Sequence, residues 1–136
     1  MKFQYMKKRI IQLGLLLVLT FHFSCEVYDE DVVELIGTYE GHITGLSGPF
    51  SFNISYDAND ELFVEAPLNG FDWSIVSIDI DQEEQQVKNI NVSNQSLESD
   101  SEIWGDGFYV DKSLQIDYII RSGNLENAYT LVGSKN

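Results

Sequence analysis

Phe50-Ser51-Phe52-Asn53-Ile54-Ser55-Tyr56 decides the fold. Four large apolar or aromatic side chains alternate with three small polar ones, the pattern of a strand with one face buried and the other wet. Leu114-Gln115-Ile116-Asp117-Tyr118-Ile119-Ile120-Arg121 repeats it, with Leu114, Ile116, Tyr118 and Ile120 inward. Residues that favour turns separate such runs at Asp57 to Asp60, Pro67 to Gly70, Asp81 to Gln86 and Ser122-Gly123-Asn124. Working outward, eight strands are predicted: Leu35 to Thr44, Phe50 to Tyr56, Glu61 to Ala66, Phe71 to Ile80, Val87 to Asn94, Gly107 to Asp111, Leu114 to Arg121 and Ala128 to Gly133. In the fourth, Phe71, Trp73 and Ile75 share one phase and Val76, Ile78 and Ile80 the other, which requires a bulge near Ile75 or cover on both faces. No run of helical period long enough to predict a helix follows Cys25.

Short connections favour antiparallel neighbours, so the chain is all-β and meanders. A meander of about eight strands removes its exposed edges by closing into a barrel. Gly37-Thr38-Tyr39 resembles the Gly-x-Trp signature that opens lipocalin-like barrels, with Tyr39 in place of the tryptophan. The resemblance implies a closed barrel and a late arginine packed across Tyr39, a role open to Arg121 alone. A two-sheet β-sandwich is the alternative architecture.

The amino terminus reads as an export segment. A basic opening (Lys2, Lys7, Lys8, Arg9) leads into an apolar stretch from Ile10 to Phe23, followed by Ser24 and by Cys25, the single cysteine of the chain. The apolar stretch is shorter than the ~20 residues of a stable membrane span. Ser24-Cys25 resembles the end of the lipobox read by signal peptidase II, although His22 and Phe23 stand where leucine and a smaller residue are usual. The resemblance implies a bacterial lipoprotein: residues 1–24 removed, Cys25 acylated, residues 25–34 a tether and residues 35–136 the barrel domain. Glu26, Asp29, Glu30, Asp31 and Glu34 make that tether acidic and solvated. They also resemble the export signals of surface-exposed lipoproteins of Gram-negative bacteria, which implies anchoring to the outer membrane, the surface face preferred to the periplasmic one.

Charge narrows the partners. Cleavage before Cys25 leaves 112 residues, in which four cations (Lys88, Lys112, Arg121, Lys135) face all 22 acidic residues, a net charge of −18. Nucleic acid is excluded, because displacing counterions from phosphate needs clustered lysine or arginine. The same field holds the domain off anionic lipid head groups.

Catalytic pairs are missing. His42 is the sole histidine after cleavage, lies on the first strand and is expected to face solvent; no free thiol remains once Cys25 is acylated. Gly45-Leu46-Ser47-Gly48-Pro49 lacks the last glycine of a nucleophile elbow and reads as a turn. The chain is therefore expected not to be an enzyme and to need no cofactor. Asp79, Asp81 and Glu83 share one strand face at a spacing of two, which would suit calcium, but the alternating Ile78 and Ile80 explain them as the wet face of a strand, so no metal is assigned. Glu98, Asp100, Glu102 and Asp106 read as a flexible acidic loop around Trp104.

Aromatics carry the functional expectation. Trp104, between a polar stretch and Gly105-Asp106-Gly107, is expected at a strand entrance where an exposed indole stacks on a sugar or apolar ring. Trp73 and Asp106 are the accompanying candidates, with Asn69 and Asp72 as hydrogen-bond acceptors for hydroxyl groups. This reading is a non-catalytic binding module for a glycan fragment or apolar small molecule. The alternative is an accessory subunit whose acidic surface docks a protein partner at the cell envelope. Lumen packing discriminates them, since Phe50, Phe52, Trp73, Leu114 and Tyr118 inside the barrel would leave no room for a ligand.

Overall fold

Eight antiparallel strands close a barrel in the computed structural model, which describes residues 30–84, 86–98 and 100–136. A short helix α1 (Glu30–Leu35) precedes β1 (Gly37–Ile43), β2 (Ser47–Tyr56), β3 (Leu62–Ala66), β4 (Ser74–Glu84), β5 (Val87–Leu97), β6 (Ser101–Val110), β7 (Ser113–Ser122) and β8 (Leu125–Lys135). Each strand pairs with the next, and β8 returns to β1 with Tyr39 opposite Lys135 and Ile43 opposite Leu131. This is the lipocalin-like closed architecture, and no sheet edge is left over.

Alternation sets the wall. Phe52 and Ile54 on β2, and Leu114, Ile116, Tyr118 and Ile120 on β7, are buried, while Ser51, Asn53, Ser55 and Asp117 face out. The outer wall also carries Glu40, Glu65 and Asp79, the reverse of a barrel whose outside meets lipid. Glycines make room for the Phe52 ring in the lumen: a Cβ on Gly133 would fall 2.5 Å from it, and one on Gly41, its partner across β1 and β8, 2.7 Å from the same ring. Phe52 lies over this glycine pair and stacks on Tyr39 at 5.2 Å between centroids.

Both ends are stoppered. At one, α1 drops Leu35, fully buried, onto the lumen, and the Tyr39 hydroxyl donates to the Leu35 carbonyl oxygen at 2.6 Å. At the other, the loop between β3 and β4 inserts Leu68, whose carbonyl accepts from the Tyr118 hydroxyl at 2.6 Å. The sequence predicted a strand from Leu35 and no helix. One turn of helix instead takes up Glu30 to Glu34 of the expected tether, because Leu35 gains a buried site by turning over the barrel end. Cys25 and the export segment lie outside the described residues.

Three further expectations change. β4 begins at Ser74, so Phe71 and Trp73 precede it; Val76 and Ile78 point in and Ile75 points out, and the bulge falls at Asp81, between Ile80 and Gln82. The acidic run from Glu98 to Asp106 is not a flexible loop around Trp104: Glu102, Trp104 and Asp106 lie on β6, and the β5–β6 hairpin extends to Leu97 opposite Ser101. Polar residues remain extended there because β6 supplies their hydrogen bonds. Arg121 does not pack on Tyr39, which points inward, whereas Arg121 points outward on β7.

Candidate functional site

The expected ligand residues fall into two places. Trp104 and Asp106 share the outer face of β6, and Asp106 lies directly opposite Asp117 of β7. With Thr44, Ala128 and Thr130 they line a shallow groove of about 430 Å³ on the outer wall. Trp104 is therefore mid-strand and half-buried, not at a strand entrance. Arg121 covers one side of its indole, the guanidinium carbon 4.9 Å from the ring centroid. That guanidinium is held in turn by Glu102 at 2.6 Å and Glu126 at 3.6 Å, so the arginine that the lipocalin-like signature assigns to the first strand packs on a tryptophan of β6. Asp117 accepts from Thr130 Oγ1 at 2.6 Å and Gln115 Nε2 at 2.9 Å. Chemically, the groove offers carboxylate acceptors beside an aromatic edge, a set suited to hydroxyl groups on a ring.

Trp73 belongs elsewhere. It stands just before β4, exposed, with its ring edge-on to Phe50 at 6.5 Å. Around it Phe71 is 80 % exposed, Ile75 63 % and Leu46 43 %. Leu46 lies over Gly70, where an added Cβ would meet its Cδ2 at 2.5 Å. Hydrogen bonds tie the loop that carries Phe71 and Trp73: Asn69 Oδ1 accepts from the backbone N–H of Phe71 at 2.9 Å and of Asp72 at 2.7 Å, and Asn69 Nδ2 donates to Asp72 Oδ2 at 3.1 Å. Asn69 and Asp72 thus bond to each other and shape a turn. The sequence offers Trp73 both as a ligand candidate and, if the lumen is packed, as a lumen residue, whereas Phe71 and Ile75, which lie exposed beside it, are not among those candidates. The signal was present, because in a sheet with one wet face the two opposed phases of that run cannot both be covered.

The lumen holds Tyr39, Phe52, Leu114, Ile116 and Tyr118, all 3 % exposed or less. Burial pushes the phenols of Tyr39 and Tyr118 well above their ordinary range, with a smaller contribution from neighbouring Tyr109 and Tyr129 respectively. Near the α1 end, Lys88 is buried and its ammonium lies 3.5 Å from Glu34. Burial also raises the Tyr109 phenol there, helped by the Glu34 carboxylate.

His42 is exposed on β1. Asp79 and Asp81 are exposed, the bulge at Asp81 interrupts their shared face, and the Glu83 side chain lies outside the described residues. Among the described residues no group of three or more histidine, cysteine or acidic side chains could hold a metal ion, and no helix is long and apolar enough to cross a membrane. In comparisons with known proteins, no family model, no curated protein and no solved structure matches the chain.

Proposed function

We propose that this chain is an exported, lipid-anchored, non-catalytic barrel that binds through its outer surface, in the role of an accessory subunit docking a protein partner at the cell envelope. The observation that carries the reading is the occupied lumen. Phe52 stacks on Tyr39 over the Gly41–Gly133 pair, Tyr118 and Leu114 fill the space beyond, and Leu35 and Leu68 stopper the ends. Interiors packed in this way exclude ligands, so recognition moves to the exterior. A fluorescent fatty acid titrated into the full chain tests it. The expected result is no saturable binding; one-to-one binding abolished by the lumen-filling Ile116→Trp would return the function to the barrel interior.

A second reading, a glycan fragment on the outer wall, draws support from the juxtaposition of Trp104, Asp106 and Asp117 in one groove. Titration with a chito-oligosaccharide should then shift indole emission, and Trp104→Ala should remove the response. Anchoring is the third component of the proposal. Two or more acyl chains on Cys25, at about 0.8 kcal/mol per buried methylene, make membrane attachment effectively stable. Cys25→Ala should leave the chain unprocessed or release it, and a processed, membrane-bound alanine variant would remove the lipoprotein reading.

A further inference from the structure

Leu46, Phe50, Phe71, Trp73 and Ile75 form an apolar rim at the end of the barrel opposite α1. Single exposed apolar side chains are ordinary on a soluble surface, but four, Leu46, Phe71, Trp73 and Ile75, gathered around a half-buried Phe50 are not. Three of them, Phe71, Trp73 and Ile75, are more than half exposed. Aromatics held in place before contact also bind with less ordering cost, and this loop is held twice, by the Asn69 turn below Phe71 and by the Tyr118 bond to Leu68.

Charge says what covers the rim. Asp72 stands between Phe71 and Trp73, and Glu65 lies opposite Ile75 in the β3–β4 register. Lys88, Lys112 and Lys135 belong to the α1 end, at the start of β5, the β6–β7 turn and the end of β8. Arg121, on β7, is engaged by Glu102 and Glu126. The rim is thus apolar at its centre and anionic at its margin. A second copy would bring Asp72 and Glu65 against their own equivalents, and an anionic bilayer would meet the same repulsion.

We infer that this rim is the docking surface for a partner protein, and that it takes an apolar segment of that partner flanked by lysine or arginine. The inference rests on the outer-surface reading above and deepens it by naming the surface and the chemistry of the occupant. Trp73 and Phe71 would supply the buried anchors, and Asp72 and Glu65 the steering charges.

Peptides of alternating leucine and lysine, and of alternating leucine and glutamate, serve as probes against the full chain in zwitterionic nanodiscs, with Trp104→Phe leaving Trp73 as the reporting indole. The leucine–lysine peptide should shift Trp73 emission to the blue and bind more weakly as salt rises, whereas the leucine–glutamate peptide should not bind. Phe71→Ser and Ile75→Ser should each weaken binding by roughly tenfold or more while leaving the melting temperature unchanged, since both side chains are exposed. Equal binding of the two peptides overturns the inference. So does leucine–lysine binding that survives Phe71→Ser, a result that leaves outer-surface binding in place and moves the site. Self-association abolished by Phe71→Ser, or Trp73 insertion into anionic vesicles, would identify a different occupant and equally overturn it.

Discussion

The Tyr118 hydroxyl reaches the Leu68 carbonyl oxygen at 2.6 Å, across fifty residues of sequence, and fastens the loop that stoppers one barrel end to the strand on the opposite wall. Tyr118→Phe keeps the ring and leaves that buried carbonyl without its donor. Such a loss costs about 1–3 kcal/mol. Urea unfolding should show a lower midpoint at unchanged slope, and a neutral result would mean that water takes the donor's place.

Alkaline pH should unfold the domain. Burial raises the Tyr39 and Tyr118 phenols above their ordinary value of 10.0, so the folded state favours the protonated form. Stability from this source is complete below about pH 10 and is lost as pH rises above it, because only the unfolded chain ionises readily there. Tyrosinate absorbance should therefore rise together with loss of the β-sheet circular dichroism signal. Full ionisation of the tyrosines in a chain still folded would contradict the burial.

Phe52 and Gly133 should behave as a coupled pair. Phe52→Ala removes the central ring and should cost about 3–5 kcal/mol. Gly133→Ala places a Cβ 2.5 Å from that ring and should cost roughly 1–3 kcal/mol through overpacking. With Phe52→Leu in the background the second cost should shrink, since residues in contact do not add independently. A double-mutant cycle in guanidinium measures the coupling, and strict additivity would refute the contact.

Leu35 should make α1 part of the domain. Leu35→Ala should destabilise the barrel by about 2–5 kcal/mol, the range for a buried leucine. An unchanged denaturation midpoint would assign residues 30–35 to the tether after all.

Trp104→Ala should be mild by comparison. The indole is half-buried on the outer wall, and its stacking with Arg121 is worth on the order of 0.5–1 kcal/mol at an exposed site. At roughly 4–8 °C per kcal/mol for a small domain, the melting temperature should fall by several degrees and no more. A larger drop, on the scale of a core tryptophan, would show that the ring supports the wall and would weaken its candidacy as a ligand platform.

The residues of β2 and β7 determined their own faces. Phe52 in and Ser51 out, Tyr118 in and Asp117 out, follow from a strand period of two, which depends on nothing beyond the strand itself. The turns at Asp57 to Asp60 and Ser122 to Asn124 were equally local: Asp57 Oδ1 accepts from the N–H groups of Asn59 at 2.9 Å and Glu61 at 3.0 Å, bonds that hold its carboxyl below the usual range, and Gly123 takes a φ of +61°. What tertiary structure alone decided lies at the ends and on the outside. Leu35 and Leu68 were ordinary apolar residues until barrel closure created two openings for them to fill. Trp73 reads as core when counted along its run, yet β4 starts one residue later and its phase faces water. Gln95 to Leu97 lies beyond the predicted fifth strand, and extends because Ser101 to Ile103 of β6 pair with it. Trp104 acquired Arg121 through a register of β6 against β7 that neither strand encodes alone. In each case the environment is made by a different segment of chain, and periodicity within one segment carries no information about it.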